Sequence, residues 1–168
     1  YYSAHFPAHL TGILVSASLP QEKILSALEG FAALEVTEAF RVPIEDLPEI
    51  EGRTLFLVNL DGAAQSSLRT AQPSIKYDAL GDYYKAGLAN FNLGGTFNSR
   101  INLNLREDKG YTYGARSGFY GSQEFGSFRV STEVNKDATA ASVTEVLNEL
   151  ESYASEGMNE EEYDYMRS

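Results

Sequence analysis

The sequence predicts an α+β domain: a largely antiparallel sheet with helices covering one face. Three observations carry that reading. Strand-like and helix-like runs follow one another as β-α-loop-β-β-α-α-β-β-α-α, so strands come in pairs and not in strict alternation with helices. Residues 111–120 and 126–134 flank the Gly/Ser turn GSQEFG and read as a hairpin. With 168 residues, 43% hydrophobic and 22% charged, the chain has the length and balance of one globular domain.

Residues 10–19 (LTGILVSASL) form an apolar, β-branched run and are predicted as a buried first strand. Ser18 and Gln21 then stand at capping-box spacing, ahead of Ile24, Leu25, Leu28 and Phe31 at helical spacing. A helix is predicted over residues 20–33. Residues 35–52, with Pro43 and Pro48, read as a surface connection. Residues 53–60 (RTLFLVNL) are a second predicted strand, and 66–75 a third, which Pro73 pushes to a sheet edge. From Asp78, a stripe of Leu80, Tyr84, Gly87, Leu88 and Phe91 predicts a helix. The stretch FNSRINLNLRED fits either period: Phe97, Ile101 and Leu105 suit a helix, while Ile101, Leu103 and Leu105 alternate as in a strand. After the hairpin, Asn135 is placed to cap a helix with the stripe Val143, Val146, Leu147, Leu150 and Tyr153, ending near Gly157. An acidic helix start, NEEEYDYMRS, closes the sequence.

Composition removes whole classes of chemistry. The sequence has no Cys, which excludes a disulfide scaffold, thiol catalysis and Cys-based metal sites. It has two histidines, His5 and His9 in HFPAH, with Pro7 between them. A catalytic zinc site takes three protein ligands, so this chain is not expected to hold zinc by itself. A net charge of −11 argues against nucleic acid or anionic lipid as a partner. No apolar run approaches the ~20 residues of a membrane span. The chain opens on Tyr1 and closes without a helix stop signal, so residues 1–168 are expected to be one domain cut from a longer chain.

The densest candidate site is residues 93–116, LGGTFNSRINLNLREDKGYTYGAR. The adjacent Gly94 and Gly95 mark a sharp turn or a close backbone approach, and they lack the spacing of a phosphate loop. Arg106 and Tyr111 bracket the charged turn 107–110. An arginine fork can hold a carboxylate or a peptide carbonyl, and a tyrosine hydroxyl can donate to a developing oxyanion. As residue types alone, they equally describe a surface ion pair and a tyrosine packed on the sheet.

The longer string LGGTFNSRINLNLREDKGYTYGARSGF resembles the most characteristic segment of the C-terminal domain of M16 family metallopeptidases, the insulinase, pitrilysin and mitochondrial-processing-peptidase-like enzymes. The flanks YYSAHFPAHLTGILVSASLP and residues 126–168 resemble the family's opening strand and its hairpin with two following helices. The resemblance implies a mixed, mostly antiparallel sheet with helices on one face, and a helix at residues 97–107. It implies a zinc-dependent peptidase whose metal and general base sit on an HxxEH helix in another domain or subunit, none of it in this chain. It implies that Arg106 and Tyr111 reach a bound peptide near the scissile bond, with Tyr113 the alternative if the register is off by two. Gly94 and Gly95 match the family's helix-junction glycines. The implied partners are a peptide or unfolded polypeptide and the HxxEH-bearing half. A structural or partner subunit without peptidase activity, and a peptide-binding module using the edge strand at 66–75, are the competing readings. If the acidic balance lines the binding chamber, it would favour basic peptides. The compartment is left open between cytoplasmic and exported.

Overall fold

Three ten-residue segments build the sheet, because their side chains alternate between a covered and an open face. The computed structural model describes residues 12–33 and 52–168, and the chain divides into two units, residues 1–53 and 54–168. In the second unit, β1 (Gln65–Ser74), β2 (Thr112–Gly121) and β3 (Gly126–Asn135) pair antiparallel in the order β1-β3-β2. On β3, Phe128, Val130, Thr132 and Val134 are buried, while Arg129, Glu133 and Asn135 on the other face are exposed. The sheet is therefore covered by helices on one face, and the fold is α+β.

The first unit carries helix α1 (Gln21–Leu28), continued by a 3-10 turn at Glu29–Ala33. In the second unit, α2 (Asp82–Asn90) runs into a π-helical turn, Phe91–Gly95. A short α3 (Arg100–Asn102) runs into another, Leu103–Asp108. Helix α4 (Thr139–Glu156) follows β3, and α5 (Glu160–Arg167) ends the chain. Ile101 and Leu105 point inward together, as helical i, i+4 spacing demands, and meet Leu93, Ala115, Phe128, Val130 and Val146 in the core. Burying each such aliphatic side chain contributes roughly 1.5–3 kcal/mol. The helical alternative for residues 97–107 is thus the observed one, starting at Arg100.

Gly157, at φ +73°, ends α4 in a backbone conformation open to glycine. The Asn135 side chain accepts from the Asp137 amide and caps a 3-10 turn, Lys136–Ala138, that leads into α4. Asn159 and Glu162 form a reciprocal capping box on α5. Pro73 lies on β1, at the sheet's edge.

Four expectations need correction. Among the described residues, 12–19, the described part of the first predicted strand, lie in no ladder, and neither do 53–60. Leu14, Leu55, Phe56 and Val58 are largely exposed. Strand propensity and apolarity make a strand only where a neighbour supplies the opposite hydrogen bonds, and periodicity carries no information about that neighbour. Ser18 does not cap α1; Pro20 takes the N-cap position, with no side-chain cap. Helix α2 starts at Asp82 instead of Asp78, because the Asp78 carboxylate accepts from the Leu80 amide (3.1 Å) and holds a local turn. Residues 1–11 and the predicted connection at 35–51 lie outside the described residues.

Candidate functional site

The site is built where the second π-helical turn meets one end of the sheet. The π turn Leu103–Asp108 ends with Lys109 donating to the Asn104 carbonyl (3.0 Å). Gly110, at φ +65°, then reverses the chain. Tyr111 follows, its amide on the Leu105 carbonyl (2.8 Å) and its carbonyl accepting from Asn135 (2.9 Å). A cavity of about 610 Å³ opens here, with Arg106, Tyr111, Tyr113, Gln65 and Asn135 in its wall. The three residues singled out in LREDKGYTY therefore share one cavity.

Their settings differ. The Arg106 guanidinium lies over the Phe97 ring, 4.4 Å from its centroid, and 3.3 Å from the Glu107 carboxylate. The ring and the partly exposed acid orient the fork without saturating its donors. Tyr111 packs its ring against the core, and its hydroxyl makes no hydrogen bond among the described residues. Tyr113 is 91% exposed. A bulge puts it there: Thr112 pairs with Val134 and Ala115 with Thr132, so two residues of β2 oppose one of β3. Thr112 Oγ1 donates to the Glu133 carbonyl (2.6 Å) and accepts from the Gly114 amide (3.1 Å), while Thr132 donates to the Gly114 carbonyl (3.0 Å). The irregularity is pinned on both strands.

Gly94 and Gly95 lie away from this cavity, against β2 and α2. A Cβ on Gly94 would come within 2.5 Å of the Ser117 amide nitrogen, so only glycine lets the first π turn approach the strand. A Cβ on Gly95 would meet the Asn90 carbonyl at 3.1 Å.

Sequence reasoning missed the asparagines that hold these turns. Asn102 donates to the Phe97 carbonyl (2.6 Å) and accepts from the Ala115 amide (2.9 Å), tying the segment that carries Arg106 to β2 just beyond the bulge. Asn90 exchanges hydrogen bonds with Ser117 on β2. Asn92 donates to the Glu162 carbonyl (2.7 Å) of α5. The signal was available: asparagines at 90, 92, 102 and 104 recur in a helical stretch where that residue is disfavoured. Buried amides can reverse that preference by satisfying backbone groups freed at irregular turns.

A second arginine of the same segment does structural work. Arg100 grips Glu162 through Nε (2.5 Å) and Nη2 (2.7 Å), and Nη2 also donates to the Gly157 carbonyl (3.0 Å). The hydrogen bonds from Arg100 hold the Glu162 carboxyl below the ordinary carboxylate range, and Glu162 in turn raises the guanidinium. Burial pushes the Tyr153 phenol, under Arg100, upward.

Among the described residues, no three His, Cys, Asp or Glu side chains converge as metal ligands. His5 and His9 lie outside them. No helix of the described residues is long and apolar enough to cross a membrane.

No curated protein matches the chain. Its fold resembles a crystal structure of a peptidase M16 inactive domain from Pseudomonas fluorescens, with a TM-score of 0.59 and 31% identity. That match covers 62% of this chain and 25% of the solved one, so the chain accounts for about a quarter of its neighbour's length. The model of the family described as the peptidase M16 inactive domain matches residues 1–168. The chain belongs to the peptidase M16 inactive-domain family.

Proposed function

We propose that this chain is the half of a zinc-dependent peptidase that holds no metal, and that it binds the peptide substrate in the cavity beside the π turn. The observation that carries this is the convergence of Arg106 and Tyr111 on one cavity, each with donor capacity to spare. Metal and general base would come from an HxxEH-bearing domain or subunit. This chain's own contribution is wall, grip and hydrogen-bond donors to the carbonyl of the bond being cleaved. Tyr111 is the better-anchored donor, since backbone bonds on both sides and the core hold its ring. Tyr113 is exposed, with no such packing around its ring.

The test is to compare Tyr111→Phe and Tyr113→Phe in the protein that contains the HxxEH-bearing half, on a peptide substrate. Tyr111→Phe is expected to lower kcat/KM more, by roughly 10² if the hydroxyl serves as an oxyanion donor. The reverse order moves the role to Tyr113. No effect from either removes tyrosine from the account. A second reading is a partner subunit of an assembly without peptidase activity; the family's description as an inactive domain fits it as well as the first. It requires that the unsubstituted protein, assembled with its other half, leave the peptide uncleaved.

A further inference from the structure

The strand register places three arginines together on the open face of the sheet. Arg69 on β1 and Arg116 on β2 both pair with Ser131 of β3, one from each side. Arg129 lies two residues along β3 on the same face, opposite Gly118. With strands about 4.8 Å apart, the cluster spans about 10 Å across the sheet. Among the described residues, the charged side chains of the three strands on this face are these three arginines and one carboxylate, Glu133.

Glu133 is committed to Arg69 at 2.7 Å, which lowers its carboxyl below the ordinary range. Arg129 stacks on Tyr120, 5.1 Å from the ring centroid, and donates to Ser127 (2.9 Å). Arg116 has no ion-pair or hydrogen-bond partner among the described residues. A face with an excess of arginine, in a chain of net charge −11, is a local inversion of sign. It lies beside the cavity: Gln65 and Asn135, the pair at the end of the same face, are in the cavity wall with Arg106. From the Asn135 row to the Ser131 row is four residues, about 13 Å along the strands, which about four residues of an extended peptide also span.

We propose that the open sheet face, through Arg116 and Arg129 flanking Ser131, binds the carboxylate side chains of an extended acidic peptide stretch about four residues from the segment held at Arg106. This deepens the peptide-binding function proposed above and rests on it. The overall charge points to basic peptides, but the face that adjoins the cavity selects the opposite sign. A nucleic-acid strand is disfavoured, because the rest of the surface repels a polyanion.

The experiment measures fluorescence anisotropy of the 168-residue chain with three labelled peptides of equal length. They carry Glu, Gln or Lys in the same cluster of positions and are titrated at low and high salt. The Glu peptide is expected to bind tightest, with its advantage lost in high salt. The double variant Arg116→Gln/Arg129→Gln is expected to weaken the Glu peptide roughly three- to tenfold and leave the Gln peptide unchanged. Circular dichroism confirms that the variant is folded. Equal binding of the three peptides, or a Glu preference that survives the double variant, overturns the acidic preference while leaving peptide binding intact. No binding of any peptide overturns both. Acidic preference with no effect of Tyr111→Phe or Tyr113→Phe on cleavage leaves the surface standing and removes the tyrosine role. Tighter binding of a single-stranded oligonucleotide through the same arginines overturns the assignment to peptide.

Discussion

Arg100 and Arg106 stand six residues apart in one segment, each over an aromatic ring, and they do opposite work. Arg100, 4.8 Å from the Tyr153 centroid, spends its fork on both oxygens of Glu162 and on a helix-end carbonyl. Its side chain is 20% exposed, and that of Glu162 18%. Arg106, 4.4 Å from the Phe97 centroid, meets one partly exposed acid at 3.3 Å and faces a cavity. The difference teaches how to tell a structural arginine from one available to a ligand: count the donors already used, not the ring beneath. Arg106 lies within the π turn and lines the cavity, while its neighbour Leu105 in the same turn is buried in the core.

The packed side of this comparison should break first. Gly94→Ala places a methyl group against the Ser117 backbone, and is expected to cost about 3 kcal/mol in urea unfolding. A cost under about 0.5 kcal/mol would show that the first π turn can back away from β2.

Glu162→Gln leaves the Arg100 charge half-buried without its partner, at a cost of about 2 kcal/mol, below that of a fully buried pair. The pair also sets a pH signature. The folded Glu162 carboxyl is depressed, so its stabilisation is complete above the unfolded carboxylate value and is lost as pH falls through the folded one. Thermal melts from pH 7 downward should therefore show a shallower acid decline in Glu162→Gln than in the wild type. Parallel declines would mean the contact stores little energy.

Arg106→Ala should have the smallest effect on stability, within about 0.5 kcal/mol, since its one ion-pair partner is a half-exposed neighbour in the chain. A loss comparable to that of Glu162→Gln would erase the distinction between the two arginines.

Much of this fold is legible in the sequence, and the rest is missing for a definable reason. The hairpin, α4 and the edge position of β1 follow from side-chain period, from the GSQEFG turn and from Pro73, all of which are local. Residues 12–19 and 53–60 show the limit: their apolarity is local, but pairing is not, and none is present among the described residues. The same limit applies to the site. Arg106, Tyr111 and Tyr113 could be picked out of LREDKGYTY by type and resemblance. That the bulge at Thr112/Ala115 turns Tyr113 outward, and that Asn102 ties the segment to β2, needed the ladder itself. So did the arginine cluster, since Arg69, Arg116 and Arg129 are scattered along the chain and meet only through register.

The most direct test of the central claim is kcat/KM of Arg106→Ala on a peptide, in the intact protein that includes the HxxEH-bearing half, with the melting temperature measured alongside. A fall of roughly 10²–10³ with the melting temperature unchanged is the result expected if Arg106 grips the substrate carbonyl. An unchanged kcat/KM in a folded, assembled protein would contradict it.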